Sequence, residues 1–458
     1  MVREIETLLV ANRGEIAVRI VRAGFDEGMT TAVVTSTADR NSLPAQLADR
    51  SINIGPAPAT ESYLVVDKII AAAKALGADA IHPGYGFLSE QPALAEACEA
   101  NDIVFVGPSV DSLIRGGDKT ESRSLAASLG VPVSEGAPPE ADDDAFKAQV
   151  ARIGYPVLIK AAAGGGGRGM KLVREESELI EARDTGIREA EQAFGDGRVF
   201  VERFVEHGRH VEVQILGDGE GGVIHLGERD CSIQRRYQKV IEEATAPDLS
   251  DDLRRRIHAS AVALCTELKY RGAGTVEFLV DAARGTYSFL EINTRVQVEH
   301  PVTEAVTGVD IVREQLAIAA GKGLRIAQED VTFSGHAFEC RITSEDPRRS
   351  FMPTPGTVTK WVVPQGNGIR VDTHVFPGYL VPPYYDSLLA KLICWGETRE
   401  EALALTRRAL DHFTVEGIST NIEILRDIVR DPTFSAGAVT TRWLETEFLP
   451  TWQQDGES

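Results

Sequence analysis

Carboxylates, an amide and cations recur at alternating positions in one stretch of the chain. Thr275-Val-Glu277-Phe-Leu-Val and Ser288-Phe-Leu-Glu291-Ile-Asn293 read as two strands joined by the turn Asp281-Ala-Ala-Arg-Gly285, which sets Glu277 opposite Glu291 or close to it. Period-two geometry then puts Glu291 and Asn293 on one face. Three hard oxygen donors on rigid strands suit Mg²⁺, which commonly binds carboxylates together with substrate phosphates. The competing reading is solvated carboxylates on an open antiparallel face. Directly downstream, Arg295-Val-Gln297-Val-Glu299-His300-Pro301 continues the alternation and aligns Arg295, Gln297 and Glu299. A cation, an amide and a carboxylate base would then surround one small anion. Gln234-Arg-Arg-Tyr-Gln-Lys239 reads as a loop after Cys231 and gathers three cations within six residues.

A second feature suits phosphates. Strand Pro156-Val-Leu-Ile-Lys160 enters Ala-Ala-Ala-Gly164-Gly165-Gly166-Gly167-Arg-Gly-Met170, and strand Lys171-Leu-Val leaves it. Gly164-x-Gly166-x-x-Gly169 matches a dinucleotide fingerprint, but a strand follows where a helix N-terminus should take the pyrophosphate. No Gly-Lys-Ser/Thr ends the run, so a Walker loop fails too. What remains is a mobile flap whose bare amides could fold over phosphates, with Lys160 at its entry; the bland alternative is a loose surface hairpin. His207, His210, His225 and Cys231 match no structural zinc spacing, and a lone Cys231 beside a His is no argument for a nucleophile.

The elements that must hold these residues fall into an ordered series. Leu8-Leu9-Val10-Ala11, then Asn12-Arg13-Gly14, then Ile16, Ile20 and Val21 describe strand, tight turn and helix. Ala32 to Val34, Ala80-Ile81 and Ile103 to Val106 add buried strands, with helical patterns over 65–76 and 92–100 between them. This alternation predicts a parallel, doubly wound sheet over residues 1–117. The Pro- and Asp-rich segment 131–144 marks a hinge. Strand patterns over 211–216, 223–226, 275–280 and 287–293 predict an antiparallel sheet. A last unit begins near Gly335 with strands 336–342 and 358–363. A capping box at Thr398 and Glu401 then opens a helix with Leu405, Ala409, Leu410 and Phe413 on one face. The tail Gln453-Gln-Asp-Gly-Glu-Ser458 reads as frayed.

The chain has 458 residues, 43% hydrophobic and 26% charged, enough for several packed domains. With 48 Lys and Arg against 69 Asp and Glu, its formal charge is −21, which repels nucleic-acid backbones and anionic lipid. An anionic ligand must therefore be drawn by local cations. Apolar stretches are broken well before the roughly 18 residues of a membrane span, and the start lacks a secretory signal. Five scattered cysteines with no Cys-x-x-Cys pair argue for reduced thiols and a cytoplasmic chain.

Taken together, Ala11-Asn-Arg-Gly-Glu-Ile-Ala17, His82-Pro-Gly-Tyr-Gly-Phe-Leu-Ser-Glu90, Gly117-Asp-Lys119, the run from Gly164 to Met170, Glu228-Arg-Asp-Cys-Ser-Ile-Gln-Arg-Arg236, Glu291-Ile-Asn-Thr-Arg-Val-Gln-Val-Glu-His-Pro301 and Pro382-Pro-Tyr-Tyr-Asp-Ser387 resemble biotin carboxylase. They follow the family's order over residues 3–448. The resemblance implies a multidomain α/β and α+β protein with an ATP-grasp fold. Its parts would be a Rossmann-like N-terminal domain (1–117), an ATP-grasp domain (118–334) with a glycine-flap lid near 132–204, an antiparallel-sheet C-terminal domain (335–448) and a flexible tail (449–458).

The resemblance also implies roles. Lys119, Lys160 and Gly164 to Gly167 would contact ATP phosphates. Met170, Glu202, Arg203, Val205 and Leu279 would line the adenine pocket, with His210 and Gln234 on the ribose side. Glu277, Glu291 and Asn293 would hold Mg²⁺ or Mn²⁺. Bicarbonate would sit among Lys239, Arg295, Gln297 and the backbone of Val298, with Glu299 taking its proton. Carboxyphosphate would form and break down beside the biotin ring, whose enolate Arg341 would stabilise while Tyr85 and Gly86 pack nearby. Tyr237 stands where many members carry His near the nucleotide, which implies altered nucleotide contacts. Met170-Lys171 is similar to the Met-Lys that bears biotin in carrier domains, but its place beside the glycine run argues against that role. With no carrier or acyltransferase portion read in the chain, the expected partners are a separate biotin carboxyl carrier protein and carboxyltransferase subunits. A homodimer using the region of Arg22 is also expected. The implied setting is an acetyl-CoA or other acyl-CoA carboxylase of fatty acid biosynthesis. Alternatives are the carboxylase subunit of a split pyruvate carboxylase, another ATP-grasp carboxylate ligase, or a nonenzymatic nucleotide-binding regulator.

Overall fold

The computed structural model describes residues 2–134, 136–140, 142–161, 170–206 and 208–455. The N-terminal strands β1 (Thr7–Val10), β2 (Thr30–Ser36), β3 (Arg50–Gly55), β4 (Ala80–His82) and β5 (Val104–Phe105) form a parallel sheet in the order β3-β2-β1-β4-β5. The central strand is an unbroken apolar run because both its faces are covered: Leu8, Leu9 and Val10 are fully buried. Helices Gly14–Asp26, Val66–Leu76 and Pro92–Ala100 supply the cover. The third starts on a proline, whose missing N–H costs nothing in a first turn, and the second ends on Gly77 in the left-handed region.

The next unit is a four-stranded antiparallel sheet of β6 (Gly136–Ala137), β7 (Val157–Ala161), β8 (Lys171–Val173) and β9 (Val199–Arg203), in the order β6-β9-β7-β8. Helices Asp143–Ile153 and Glu176–Phe194 pack on it through Phe146, Val150, Leu179 and Ala190. The two strands flanking the glycine run pair as a hairpin, Val157 with Val173 and Ile159 with Lys171. Gly164, Gly165, Gly166, Gly167 and Gly169 lie outside the described residues, as does His207.

The main sheet has eight strands. β10 (Arg209–Asp218), β11 (Val223–Arg235), β12 (Gln238–Ala244), β13 (Arg271–Asp281), β14 (Thr286–Asn293) and β15 (His336–Thr343) are joined by strands Leu388–Gly396 and Ile369–Thr373. The order is β14-β13-β10-β11-β12-β15, then Leu388–Gly396, then Ile369–Thr373, and every neighbour is antiparallel. The strands after Gly335 thus continue the sheet that begins with β10. Helix Arg399–His412 covers its far end with Ala409 and Leu410 buried, and the Thr398 hydroxyl accepts from the Glu401 N–H at 3.2 Å. The Glu401 carboxylate reaches back to the N–H of Glu397, one residue beyond the reciprocal partner of a capping box.

Three expectations are corrected. Gln234 to Lys239 is not a loop: β11 and β12 form a hairpin in which Gln234 pairs with Lys239 and Arg235 with Gln238. Its two-residue turn, Arg236 and Tyr237, has φ of 48° and 64°. Such tight hairpins usually advertise themselves with Gly, Asn or Asp, which are missing here. The alternation of Arg295, Gln297 and Glu299 is not a strand, since β14 ends at Asn293 and residues 294–299 leave the sheet to start helix His300–Thr307. The tail expected to be flexible from 449 and frayed from Gln453 is helical over Leu449–Asp455, and 456–458 lie outside the described residues. Trp452 is buried there, its indole N–H donates to Asp427 at 2.7 Å, and the Arg348 guanidinium stacks 3.6 Å above the ring. No helix among the described residues is long and apolar enough to cross a membrane.

Candidate active site

β10 alternates Val211, Val213 and Ile215, which face a buried core, with His210, Glu212 and Gln214 on the other face. The register places Glu212 opposite Glu277 on β13, and Glu277 opposite Glu291 on β14. Three carboxylates therefore stand in a row across three strands, an arrangement that repels itself unless cations intervene. They do. Lys239 places its Nζ 2.5 Å from Glu212, 3.1 Å from Glu277 and 2.5 Å from Glu299. Arg229, fully buried, donates to Glu212 at 2.7 Å and to Gln214 and Thr303. His210 Nε2 lies 3.1 Å from Glu277, and Lys119 Nζ lies 2.9 Å from Glu291.

These contacts decide which groups are charged. Burial disfavours ionisation of Glu212, Glu277 and Glu299, yet Lys239 with the neighbouring cations holds all three below the usual carboxylate range. Burial likewise works against a charged His210, but Glu277 and Glu212 lift it to about 9. Lys239 is raised well above its ordinary value by the same three carboxylates, against its own burial. Glu242 behaves differently: burial pushes it up to about 7 although Arg341 donates to it at 2.6 Å.

The segment 294–299 delivers its side chains to the same place without a strand. Arg295 donates to Glu90 at 2.9 Å and to the Asn293 side-chain oxygen at 3.3 Å. Gln297 gives its amide N–H to Glu277 and accepts from Lys239, both at 3.2 Å. Glu299 is clamped between Lys239 and Arg341, the latter donating at 3.0 Å. Asn293 donates to Glu277 at 2.9 Å.

His210, Lys239, Glu277, Glu291, Asn293, Arg295, Gln297, Glu299 and Arg341 line one cleft of about 840 Å³, while Glu212, Arg229 and Glu242 stand behind them. The same cleft is lined by Lys119, Lys160, Met170, Glu202, Arg203, Val205, His210, Gln234 and Leu279, with Tyr237 at the hairpin tip. Lys160 is paired with Glu202, which also accepts from Ser134 at 2.8 Å, and Gln234 donates to the Cys231 carbonyl at 2.9 Å. Tyr85, Gly86, Arg341 and Val298 line it as well. The cross-strand pair Glu277 and Glu291, with Asn293 beside it, offers hard oxygen donors to the cleft, a donor set that fits Mg²⁺. His225 stands apart from His210, stacked on His258 with ring centroids 4.1 Å apart. Glu212, Arg229, Glu242 and Glu339 were not anticipated from the sequence; a polar residue at every second position of 210–214 was the available signal for the first.

A cleft with this donor set, in a chain that combines a parallel sheet, a small four-stranded sheet and a large antiparallel sheet, defines an ATP-grasp enzyme, an ATP-dependent ligase. Residues 4–113 match the biotin carboxylase N-terminal domain, 118–327 the ATP-binding domain of the carbamoyl-phosphate synthase L chain, and 339–446 the biotin carboxylase C-terminal domain. The chain is 53% identical to the biotin carboxylase of Pseudomonas aeruginosa over 444 residues, 96% of this chain and 98% of that one. Among solved structures it is similar to a Campylobacter jejuni biotin carboxylase complex, with TM-score 0.94, 44% identity and coverage of 96% and 98%. It is also similar to the biotin carboxylase domain dimer of Hydrogenobacter thermophilus 2-oxoglutarate carboxylase, crystallised with MgADP and bicarbonate, with TM-score 0.92, 44% identity and coverage of 97% and 98%. The chain belongs to the biotin carboxylase family.

Proposed function

We propose that the cleft carboxylates biotin borne on a separate carrier protein, using ATP, Mg²⁺ and bicarbonate. The observation that carries the reading is Glu299, a buried carboxylate held ionised 2.5 Å from Lys239 and 3.0 Å from Arg341, with Gln297 in the same network. Bicarbonate entering among Lys239, Arg295, Gln297 and the Val298 backbone would draw these donors to itself and leave Glu299 free to take its proton. The bicarbonate oxygen then attacks the γ-phosphate, forming carboxyphosphate and releasing ADP. Carboxyphosphate gives CO₂ and phosphate; the phosphate removes the ureido N–H proton, and the ring nitrogen adds to CO₂. Arg341, protonated throughout, stabilises the enolate, with Tyr85 and Gly86 against the ring. Lys119 and Lys160 would exchange their carboxylate partners for ATP phosphates. Glu277, Glu291 and Asn293 would hold the metal, which when bound neutralises the transferring phosphoryl group.

The nucleotide would lie against Met170, Glu202, Arg203, Val205, His210, Gln234, Tyr237 and Leu279, with Gly164 to Gly167 as further expected phosphate contacts. As final acceptor, used by a separate carboxyltransferase, we assign an acetyl-CoA or other acyl-CoA, with a 2-oxoacid as the second reading because similar proteins include a 2-oxoglutarate carboxylase domain and a pyruvate carboxylase subunit. A homodimer is supported by the dimer that the similar 2-oxoglutarate carboxylase domain forms and by Arg22, exposed on helix Gly14–Asp26. Five free, buried cysteines support a cytoplasmic setting.

The test is phosphate release from ATP with Mg²⁺, with and without bicarbonate and free biotin, beside Glu299→Gln. Release needing both additions and falling about 10²- to 10⁴-fold in the variant is expected for loss of a general base. Hydrolysis indifferent to bicarbonate would sink the reading in favour of another carboxylate ligase.

A further inference from the structure

The segments Ala11 to Ala17 and Pro382 to Ser387 stand out in the sequence, yet no step above uses them. In the structure the first of them, through Glu15, meets a buried lysine. Lys391, on strand Leu388–Gly396, is completely enclosed. Its Nζ donates to the carbonyl of Val298 at 2.9 Å and lies 3.1 Å from Glu15 and 4.0 Å from Asp372. Glu15 sits in the first turn of helix Gly14–Asp26, is itself buried, and accepts a short hydrogen bond from the Tyr85 hydroxyl. A continuous chain of polar contacts, buried at Lys391 and Glu15, thus runs from Val298, beside Gln297 and Glu299, to Tyr85. It connects the large sheet, the parallel-sheet domain and the segment 294–299 at one point.

We propose that Lys391 and Glu15 are positioning residues that fix the bicarbonate end of the cleft against its biotin end. Lys391 holds the peptide that carries Gln297 and Glu299, and Glu15 holds both Lys391 and the phenol that faces biotin. Neither residue touches the reacting atoms: Lys391 acts through a carbonyl and Glu15 through a hydroxyl and an ammonium. The arrangement is more than an ion pair between domains, because the lysine's closest partner is a backbone oxygen of the substrate segment itself. Charge-assisted bonds of this kind are shorter and stronger than neutral ones, and they fix geometry accordingly. Lys391 is held protonated by Glu15, Glu339 and Asp372 in spite of its burial, so the bond to Val298 persists across the neutral range. The inference rests on residues 295–299 being the bicarbonate segment.

The experiment compares steady-state constants for ATP, bicarbonate and biotin in the wild type, Lys391→Met, Lys391→Arg and Glu15→Gln, with ADP binding as the check on folding. Loss of one charge-assisted bond that holds the segment should raise the bicarbonate KM about tenfold or more. The ATP KM should stay within about twofold, since Lys119 and Lys160 belong to other elements. Lys391→Arg should recover part of the loss, and Glu15→Gln should raise the biotin KM more than the ATP KM. Unchanged bicarbonate and biotin constants in folded variants would overturn the inference, as would an ATP KM that rises in step with them. Should Lys391→Met not fold, Glu15→Gln decides alone: unchanged constants refute the proposal and a raised biotin KM upholds it. A wild type whose phosphate release ignores bicarbonate would instead remove the functional reading, and the inference with it.

Discussion

Replacing Lys239 by Met should cost stability in a way that depends on pH with a predictable sign. The lysine touches three buried carboxylates, Glu212, Glu277 and Glu299, at 2.5, 3.1 and 2.5 Å. Removing one partner of such a buried set typically costs about 3–5 kcal/mol. In the wild type the three stay ionised from pH 8 to pH 6, because the lysine and its neighbours hold them below the usual range. Without it at least one must rise above its unfolded value, so the folded variant binds a proton that the unfolded chain does not. Stability of the variant then increases as pH falls, by about 1.4 kcal/mol per unit for one proton, or roughly 2.7 kcal/mol between pH 8 and pH 6. Thermal melts of both proteins at pH 8, 7 and 6 read this out. Glu242, pushed up to about 7 by burial and partly held down by Lys239, rises further in the variant and adds proton uptake of the same sign, so the quantity compared is the difference in Tm at each pH. That difference should shrink by half or more on acidification. A gap that stays constant would mean that the lysine acts through packing alone, and one that widens would refute the assignment of charge.

Two further outcomes follow from the packing. Burial pushes the thiols of Cys98, Cys265 and Cys394 up to about 12 and those of Cys231 and Cys340 also upward, so a disulfide reagent at pH 8 should titrate none of the five until the protein is denatured. Trp452→Ala should lower stability by about 3 kcal/mol and open 449–455 to limited proteolysis while leaving ADP binding intact; resistance equal to the wild type would contradict the docking of that helix.

The parts of the site that could be read from the sequence are those where side-chain period and backbone agree. Glu277 and Glu291 were placed opposite one another by a short turn and alternation, and β13 and β14 pair in that register. Residues 294–299 look like more of the same strand because Val296 and Val298 alternate with polar residues. Pro301, in the first turn of helix His300–Thr307, shows why they are not: the chain is already turning into a helix, and Val296 is buried among the apolar residues near helix Ile311–Ala319 rather than on a sheet face. The Arg236-Tyr237 hairpin was hidden by residues that seldom adopt positive φ. Glu212, Glu242 and Glu339 escaped notice for a different reason. A charge on a strand ordinarily marks the wet face, and only the assembled sheet reveals a face that is both charged and enclosed.

The eight-stranded sheet bears on where this chain can be divided. Family matching leaves a gap between residues 327 and 339, which invites cutting the chain there. The backbone offers no seam: β12 and β15 are laddered over Ile241 to Ala244 and Ala337 to Cys340. A fragment ending at 334 would leave that side of β12 as an open edge, with Ile241 and Ala244 stripped of cover, and such an edge recruits other chains. Its complement would lose the partner of β15 in the same way. Two units that sequence comparison separates are thus a single object for folding, expression and recombination, and any heritable change in strand register on one side must be matched on the other.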